Sequence, residues 1–394
     1  MLLELIISTA IGICAGIFTG LVPGIHTNLV GVFLVSISGS FLFMNSIYLV
    51  IFIVSMTITH TFLDFIPSIF LGCPEAGETE LSILPGHKML KQGKGYEAVM
   101  LTAYGGLSAI ILLLIIAFPS ILLLNKFYDS INPFIPYLLI LASIIMIFTE
   151  KRKFSALFVF AIAGILGLFI LNLEIKEPLL PMLSGLFGCS SLILSIKNKT
   201  KIPLQFKTKV ETSIWKPLLG SLISSPLCGF LPGLGSGQAA ILGSTISKTD
   251  DKGFLVLLGA TNTLVMGLSF IALFAIGKTR TGAAVAIQQL TGILSWKVLI
   301  LVLIITLISG IVSFFLASKI TQIISNKISK INYTKLSIIT LIILSIIVGV
   351  ISGFFGFLVL VISTLTGIYC ISLNVKRTNM MACLLLPTII LYLL

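Results

Sequence analysis

The residues with chemistry to offer are few and small. His26, Thr27 and Asn28 follow Pro23 and Gly24 in "FTGLVPGIHTNLVG" (18–31). Ser236 and Gln238, with Gly235 and Gly237 among them, follow Pro232 and Gly233 in "LCGFLPGLGSGQAAILG" (227–243). Thr59, His60 and Thr61 form a further polar triplet, answered in the second half by Thr261, Asn262 and Thr263. Hydroxyls, amides and freed backbone carbonyls suit a Na+ cage or the carboxylate of a small ligand. The plainer alternative is that Ser and Thr bond back to their own helices. Pro23, Gly24, Thr27, Asn28, Pro232, Gly233, Gly235, Ser236 and Gly237 are candidate substrate contacts, and Na+ is expected as a coupling ion near Thr27, Asn28, Thr261 and Asn262.

Charge within apolar sequence is rarer still. Asp64 stands four residues after His60, which puts both on one helical face. Such a pair could relay protons; the bland reading is a helix end near the cytoplasmic interface. Thr59, His60, Thr61, Asp64, Thr261, Asn262 and Thr263 are the candidates for ion coupling. Lys278 and Arg280, in "AIGKTRTGAA", favour an anionic substrate unless they are only a solvated loop. No Asp or Glu follows Asp251, which tilts the balance from a proton-relaying carboxylate chain toward Na+ held by carbonyls and hydroxyls.

Other chemistries lack their residues. There is no His-Glu-x-x-His helix, no Gly-x-Ser-x-Gly elbow and no Walker-type loop, so no catalytic residue is assigned. His26, His60 and His87 lie on separate segments without metal-ligand spacing. The six cysteines form no Cys-x-x-Cys pair and read as small packing residues.

The elements that must position these groups are set by composition. The chain has 394 residues, 57% hydrophobic and 10% charged, with a mean hydropathy of +1.17. Runs such as "LSAIILLLIIAFPSILLL" can cross a hydrocarbon core ~30 Å thick. The expectation is an all-α polytopic protein of the cell membrane, with "MLLELIISTA" as the start of its first span. Apolar segments fall near 3–22, 28–44, 46–72, 97–124, 131–149, 154–173 and 179–196, then 218–231, 237–247, 254–277, 298–318, 336–352, 357–373 and 380–394. A shorter run at 283–294 reads as re-entrant or interfacial. The net charge of +12 sits in short loops, as the positive-inside rule expects, with no aromatic-interleaved patch for nucleic acid.

Loop charge also gives a topology. Segments 87–95, 150–153, 197–217, 318–335 and 374–379 are assigned to the cytoplasm, and 125–133 and 173–178 to the opposite side. The stretch 97–124 then runs outward and 298–318 inward. Gly20-x-x-Pro23-Gly24 is matched by Gly229-x-x-Pro232-Gly233. The chain thus divides into a first repeat (1–196), a basic cytoplasmic linker (197–217) and a second, inverted repeat (218–394), each interrupted by Pro and Gly. Inside a bilayer, irregular backbone persists only within protein or beside water, and paired breaks point to a transporter's central site. A Pro-Gly kink for tight packing is the simpler alternative.

The motifs resemble those of the tripartite tricarboxylate transporter large membrane subunit, the TctA family, over nearly the whole length. "LPGHKMLKQGKGYEAVML" (84–101) is similar to that family's Gly-aromatic-x-Met-x-(Lys/Arg)-x-Gly segment, and "GLVPGIHTN" and "GFLPGLGSG" resemble its two Pro-Gly motifs. "LGCPEAGETE" departs from the usual Pro-Gly-Thr-Pro, and "AIGKTRTGAA" stands where a Gly-Ile-Pro-Gly element belongs, which marks a divergent member. The resemblance implies Na+- or H+-driven uptake of a di- or tricarboxylate, a small membrane subunit and an extracytoplasmic binding protein. The contrasting reading is a membrane-embedded lipid-modifying enzyme or a non-transport scaffold. Substrate identity and homo-oligomer formation stay open.

Overall fold

A computed structural model of the chain describes residues 2–22, 45–72, 77–148, 150–197, 202–208, 210–230, 235–292, 294–329, 332–375 and 377–394. Among them every regular element is helical. The first half comprises α1 (Leu2–Leu21), α2 (Ser46–Leu63), α3 (Phe65–Leu71), α4 (Gly77–Leu90), α5 (Gly95–Ile131), α6 (Ile135–Phe148) and α7 (Lys153–Leu171). It closes with α8 (Leu179–Leu183), a π-helical stretch (Ser184–Cys189) and α9 (Ser190–Lys197). The second half comprises α10 (Trp215–Phe230), α11 (Ser236–Ser247), α12 (Asp251–Ile276), α13 (Gly282–Thr291), α14 (Trp296–Ile328), α15 (Tyr333–Ser372) and α16 (Ala382–Leu393). α15 covers both expected segments of its region and breaks at Gly353 (φ 70, ψ −166).

Seven helices among the described residues are long and apolar enough to span a membrane. Their outer faces are what a bilayer demands. Ile111, Ile115, Phe118 and Leu122 on α5, and Ile300, Ile304, Ile308 and Phe315 on α14, form exposed stripes at helical spacing. Two spans behave differently: Ser46–Leu71 and Asp251–Ile276 are 89% buried over their most apolar window, against 22–39% for the others. The chain is a multi-pass membrane protein with these two helices at its centre.

Contacts around the central pair follow one pattern. α2 packs on α1, α14 and α13, and α12 packs on α10, α5 and α4, while α5 and α14 meet each other. Each central helix is therefore held by the long helix of the opposite half. Close approach depends on small residues: a methyl added at Gly259 would lie 1.9 Å from the Thr102 carbonyl oxygen, and one at Gly105 would lie 2.0 Å from that of Val256.

Helix ends are set by local chemistry. Asp250 accepts the Gly253 N–H at 2.9 Å to start α12, and Thr281 accepts the Ala284 N–H at 3.3 Å to start α13. Gly72 (φ 70) ends α3 and Gly277 (φ 64) ends α12, both left-handed, where glycine turns the chain without a Cβ penalty. After each glycine the chain starts a short helix laid against the one it has left. Ser68 Oγ donates to the Thr79 carbonyl and lies 2.9 Å from Ser82 Oγ, which fixes α4 on α3. Ser269 Oγ and Thr281 Oγ1, 2.9 Å apart, fix α13 on α12.

Hydropathy reading finds the run near 283–294, which is α13, but passes over α4. The reason is physical: α4 carries Glu78, Glu80, His87, Lys88 and Pro85 in fourteen residues and has no apolar run to betray it. α14 also continues to Ile328, ten residues past its apolar stretch.

Candidate functional site

Four helices bring polar side chains together inside the bundle. From α2, Thr59, His60 and Thr61 are buried, as is Asp64 at the α2–α3 junction. From α12 come Thr261, Asn262 and Thr263, also buried. α4 contributes Glu78 and Glu80, and α11 contributes Ser236 and Gln238. The two central helices meet at Asn262, whose Nδ2 donates to Asp64 Oδ2 at 3.0 Å and to the Thr61 carbonyl at 3.5 Å. Asp64 has a second neighbour in His60, with Nε2 4.0 Å from Asp64 Oδ2 and Nδ1 3.2 Å from Thr19 Oγ1 on α1. The i, i+4 pairing of His60 with Asp64 is thus realised in space.

Two short helices, α4 and α11, converge on the same place. Ser236, the first residue of α11, donates through Oγ to Glu78 Oε2 at 2.5 Å. Glu78 lies in the first turn of α4 and is close enough to Asp64 and Glu80 to act on both electrostatically. Gln238 closes the turn into α11 by accepting the Gly235 N–H at 3.0 Å. Three carboxylates from the first half are therefore buried together, with Ser236 and Asn262 of the second half donating to two of them. Among the described residues, Asp64 Oδ1 and both oxygens of Glu80 have no hydrogen-bond partner. An unpaired buried carboxylate is costly, so such groups persist where they serve a function.

The sequence candidates divide accordingly. His60, Asp64, Asn262 and Ser236 meet at this cluster. Thr61 and Thr261 bond back to the carbonyls of Ile58 (2.8 Å) and Leu258 (3.0 Å), as the plainer reading had it. Thr59 Oγ1 instead accepts from Ser313 of α14 at 2.9 Å. Thr263 Oγ1 is buried without a partner among the described residues. Gly237 is buried in α11. Gly235 has φ −108 and ψ 176, extended backbone that any residue adopts, so a need for special dihedrals does not arise there. Lys278 and Arg280 sit elsewhere, in the α12–α13 connection: Lys278 is exposed, and Arg280 Nη2 donates to Tyr128 Oη on α5 at 2.7 Å. Pro23, Gly24, His26, Thr27, Asn28, Pro232 and Gly233 lie outside the described residues.

Glu78 and Glu80 are the site residues that sequence reasoning passes over. The signal was available: two glutamates two residues apart in "GETELSIL", seven residues ahead of the basic segment 87–95. Asp64 and these two supply acids that the chain lacks after Asp251. Among the described residues no group of three His, Cys, Asp or Glu has metal-ligand geometry; what the side chains form is an acid–hydroxyl–amide network.

A second polar assembly ties the linker down. Gln205 accepts the Gly95 N–H at 2.8 Å and donates to the Leu90 carbonyl at 3.0 Å, while the Phe206 N–H donates to the Gly93 carbonyl at 2.8 Å. Buried Glu97 accepts from Lys252 Nζ at 2.5 Å and from Thr208 Oγ1 at 2.9 Å. The "KQGKGYE" turn is therefore the dock for residues 203–208 and the start of α12.

The family model of the tripartite tricarboxylate transporter TctA family matches residues 6–382. An uncharacterized protein of Methanocaldococcus jannaschii is 32% identical, over 97% of this chain and 98% of its own length. No solved structure matches the chain.

Proposed function

The chain belongs to the tripartite tricarboxylate transporter TctA family, and on that premise we propose that it is the large membrane subunit of a secondary transporter for a small di- or tricarboxylate, driven by Na+ or H+. The observation that carries this reading is the Ser236–Glu78 contact beside Asp64–Asn262. It joins the starts of two short helices to the two central spans. Only residues inside protein or beside water can be irregular at such depth. A polar junction shared by both halves can rearrange when the halves move against each other.

The acids at the junction suit a driving cation, with Asp64 as the shared element: a carboxylate oxygen for Na+ or a base for H+. The substrate anion is assigned to the Pro-Gly breaks, where the α11 N-terminus offers backbone N–H donors while the Ser236 hydroxyl is engaged by Glu78. Two inverted repeats, 1–196 and 218–394, joined by a cytoplasmic linker, account for the reciprocal packing of α2 and α12. A small membrane subunit and an extracytoplasmic binding protein complete the assembly.

The test is uptake of labelled citrate into proteoliposomes, with an inward Na+ gradient and a proton gradient imposed separately. Accumulation above the equilibrium level under one gradient supports the reading, with the binding protein added if the subunit alone is inert. No accumulation under either gradient, with binding protein present, refutes it. Cysteines at Glu177 and Lys207 should label from opposite sides; labelling from one side rejects the inverted arrangement.

A further inference from the structure

The α5–α10 surface carries an apolar groove that the transport reading does not use. It has a volume of about 190 Å³ and is lined by Leu123, Phe127 and Tyr128 of α5 with Ile223, Leu227 and Phe230 of α10. Leu123 is 57% exposed and Ile223 51% exposed, so the groove opens to the outside of the bundle, where acyl chains lie. Its Tyr128 end is cationic. Tyr128 Oη accepts from Arg280 Nη2 at 2.7 Å, and the guanidinium carbon stands 5.6 Å from the centre of that ring. Lys126 Nζ lies 5.3 Å from the centre of the Phe127 ring, and Lys278 is exposed two residues before Arg280.

Among the described residues no carboxylate pairs with Arg280, Lys278 or Lys126. Arg280 Nε is moreover buried with no hydrogen-bond partner among them. Among the described residues this half-buried guanidinium bonds to one neutral phenol and lies near a second, Tyr392, which leaves its charge open to an anion. The groove beside it accepts hydrocarbon. We propose that this surface is a binding site for an anionic phospholipid, its phosphate held by Arg280 with Lys278 and Lys126 nearby, and one acyl chain lying between α5 and α10. The charge selects the headgroup and the groove selects the chain. Lys278 and Arg280 are on this assignment lipid ligands at the flank, apart from the Asp64 junction.

The test compares phosphatidylglycerol with phosphatidylcholine of the same acyl chains, added to the purified full-length protein in detergent, by thermal unfolding. Phosphatidylglycerol should stabilise at lower concentration. Its advantage should fall by about fivefold in Lys278→Gln and again by about fivefold in Arg280→Gln, since each interfacial cation contributes roughly that factor. Ile223→Trp, which fills the groove, should abolish the stabilisation. If Arg280→Gln does not fold, Lys278→Gln and Ile223→Trp carry the result. Equal stabilisation by the two lipids overturns the proposal, as does an advantage unchanged in Lys278→Gln and Ile223→Trp. Displacement of phosphatidylglycerol by citrate assigns the cations to the substrate instead. A photo-crosslinker at Leu123 that captures a small membrane protein and not lipid, in native membranes, assigns the groove to that subunit and equally overturns it.

Discussion

Asn262 of α12 donates to Asp64 at the α2–α3 junction across 3.0 Å, a polar contact that joins the two most buried spans among the described residues. The amide also reaches the Thr61 carbonyl, so one side chain senses both the carboxylate and the backbone beside it. Asp64→Asn keeps the shape and removes the charge. The protein should fold, with a melting temperature within a few degrees of the parent, yet lose cation-driven accumulation by at least about tenfold. Asn262→Ala should destabilise instead, by about 1–3 kcal/mol, because the carboxylate then loses its donor. Unchanged Na+ and pH dependence in Asp64→Asn would remove this pair from the coupling route.

Gly259 and Gly235 predict opposite outcomes for the same substitution. At Gly259 a methyl would press on the Thr102 carbonyl at 1.9 Å, so α5 and α12 must separate. At Gly235 the nearest atom is Gln238 Oε1 at 3.2 Å, the end of a flexible side chain, and the backbone is extended. Gly259→Ala should lower the yield of folded protein and its thermal stability, at a cost of about 1–3 kcal/mol for overpacking. Gly235→Ala should fold normally, and a loss of substrate affinity there would report on ligand approach alone. Equal stability of the two variants would contradict the packing.

These residues also show how far the sequence could be read. The spans were legible because bilayer thickness imposes a length and a hydropathy that few other constraints produce. α5, α12 and α14 begin within three residues of their expected starts, while α5 and α14 run seven and ten residues past their expected ends. The pairing of His60 with Asp64 was legible from helical spacing. α4 was not, because a short helix buried by its neighbours needs no apolar run of its own, and its glutamates read as a loop. The destination of Lys278 and Arg280 was also illegible: a cation between spans looks the same in sequence whether it turns inward or meets a tyrosine on a neighbouring helix.

The linker should behave as a strap. Gln205 satisfies the Gly95 N–H and the Leu90 carbonyl, and Thr208 shares Glu97 with Lys252. Gln205→Ala should raise amide exchange at Gly95 and speed protease cleavage between Ile202 and Val210, since it leaves a donor and an acceptor without partners. Lys88→Ala should do neither, because the Lys88–Asp251 pair is exposed on both sides and contributes little. Cleavage of the Gln205 variant at the parental rate would show that the strap is held elsewhere.

His87 gives a signed pH dependence. Burial, and then the nearby charges of Lys91 and Arg377, hold its imidazole neutral, with the pKa down to about 3. The folded chain resists a proton that the unfolded chain accepts near pH 6.5. Its contribution to stability is therefore present above about pH 6.5 and lost as the pH falls toward 3, by up to ~1.4 kcal/mol per pH unit. Unfolding of parent and His87→Gln between pH 7 and 4 should show a shallower slope in the variant. Parallel slopes would mean that the imidazole titrates freely in the folded protein.

Glu80 should separate stability from function. It is 2% exposed, Glu78 is close by, and neither of its oxygens has a hydrogen-bond partner among the described residues. Retaining a charge-bearing group there works against folding, so its removal should relieve the fold. Glu80→Gln is expected to raise the melting temperature while lowering cation-driven accumulation by about tenfold or more. Glu78→Gln differs, because Ser236 already donates to Glu78: the amide oxygen can still accept, so stability should change little and transport should suffer. The comparison that decides is stability and transport measured side by side for both variants. A Glu80→Gln protein that is more stable and transports at the parental rate would make that glutamate a structural burden, and would confine the coupling chemistry to Asp64 and Glu78.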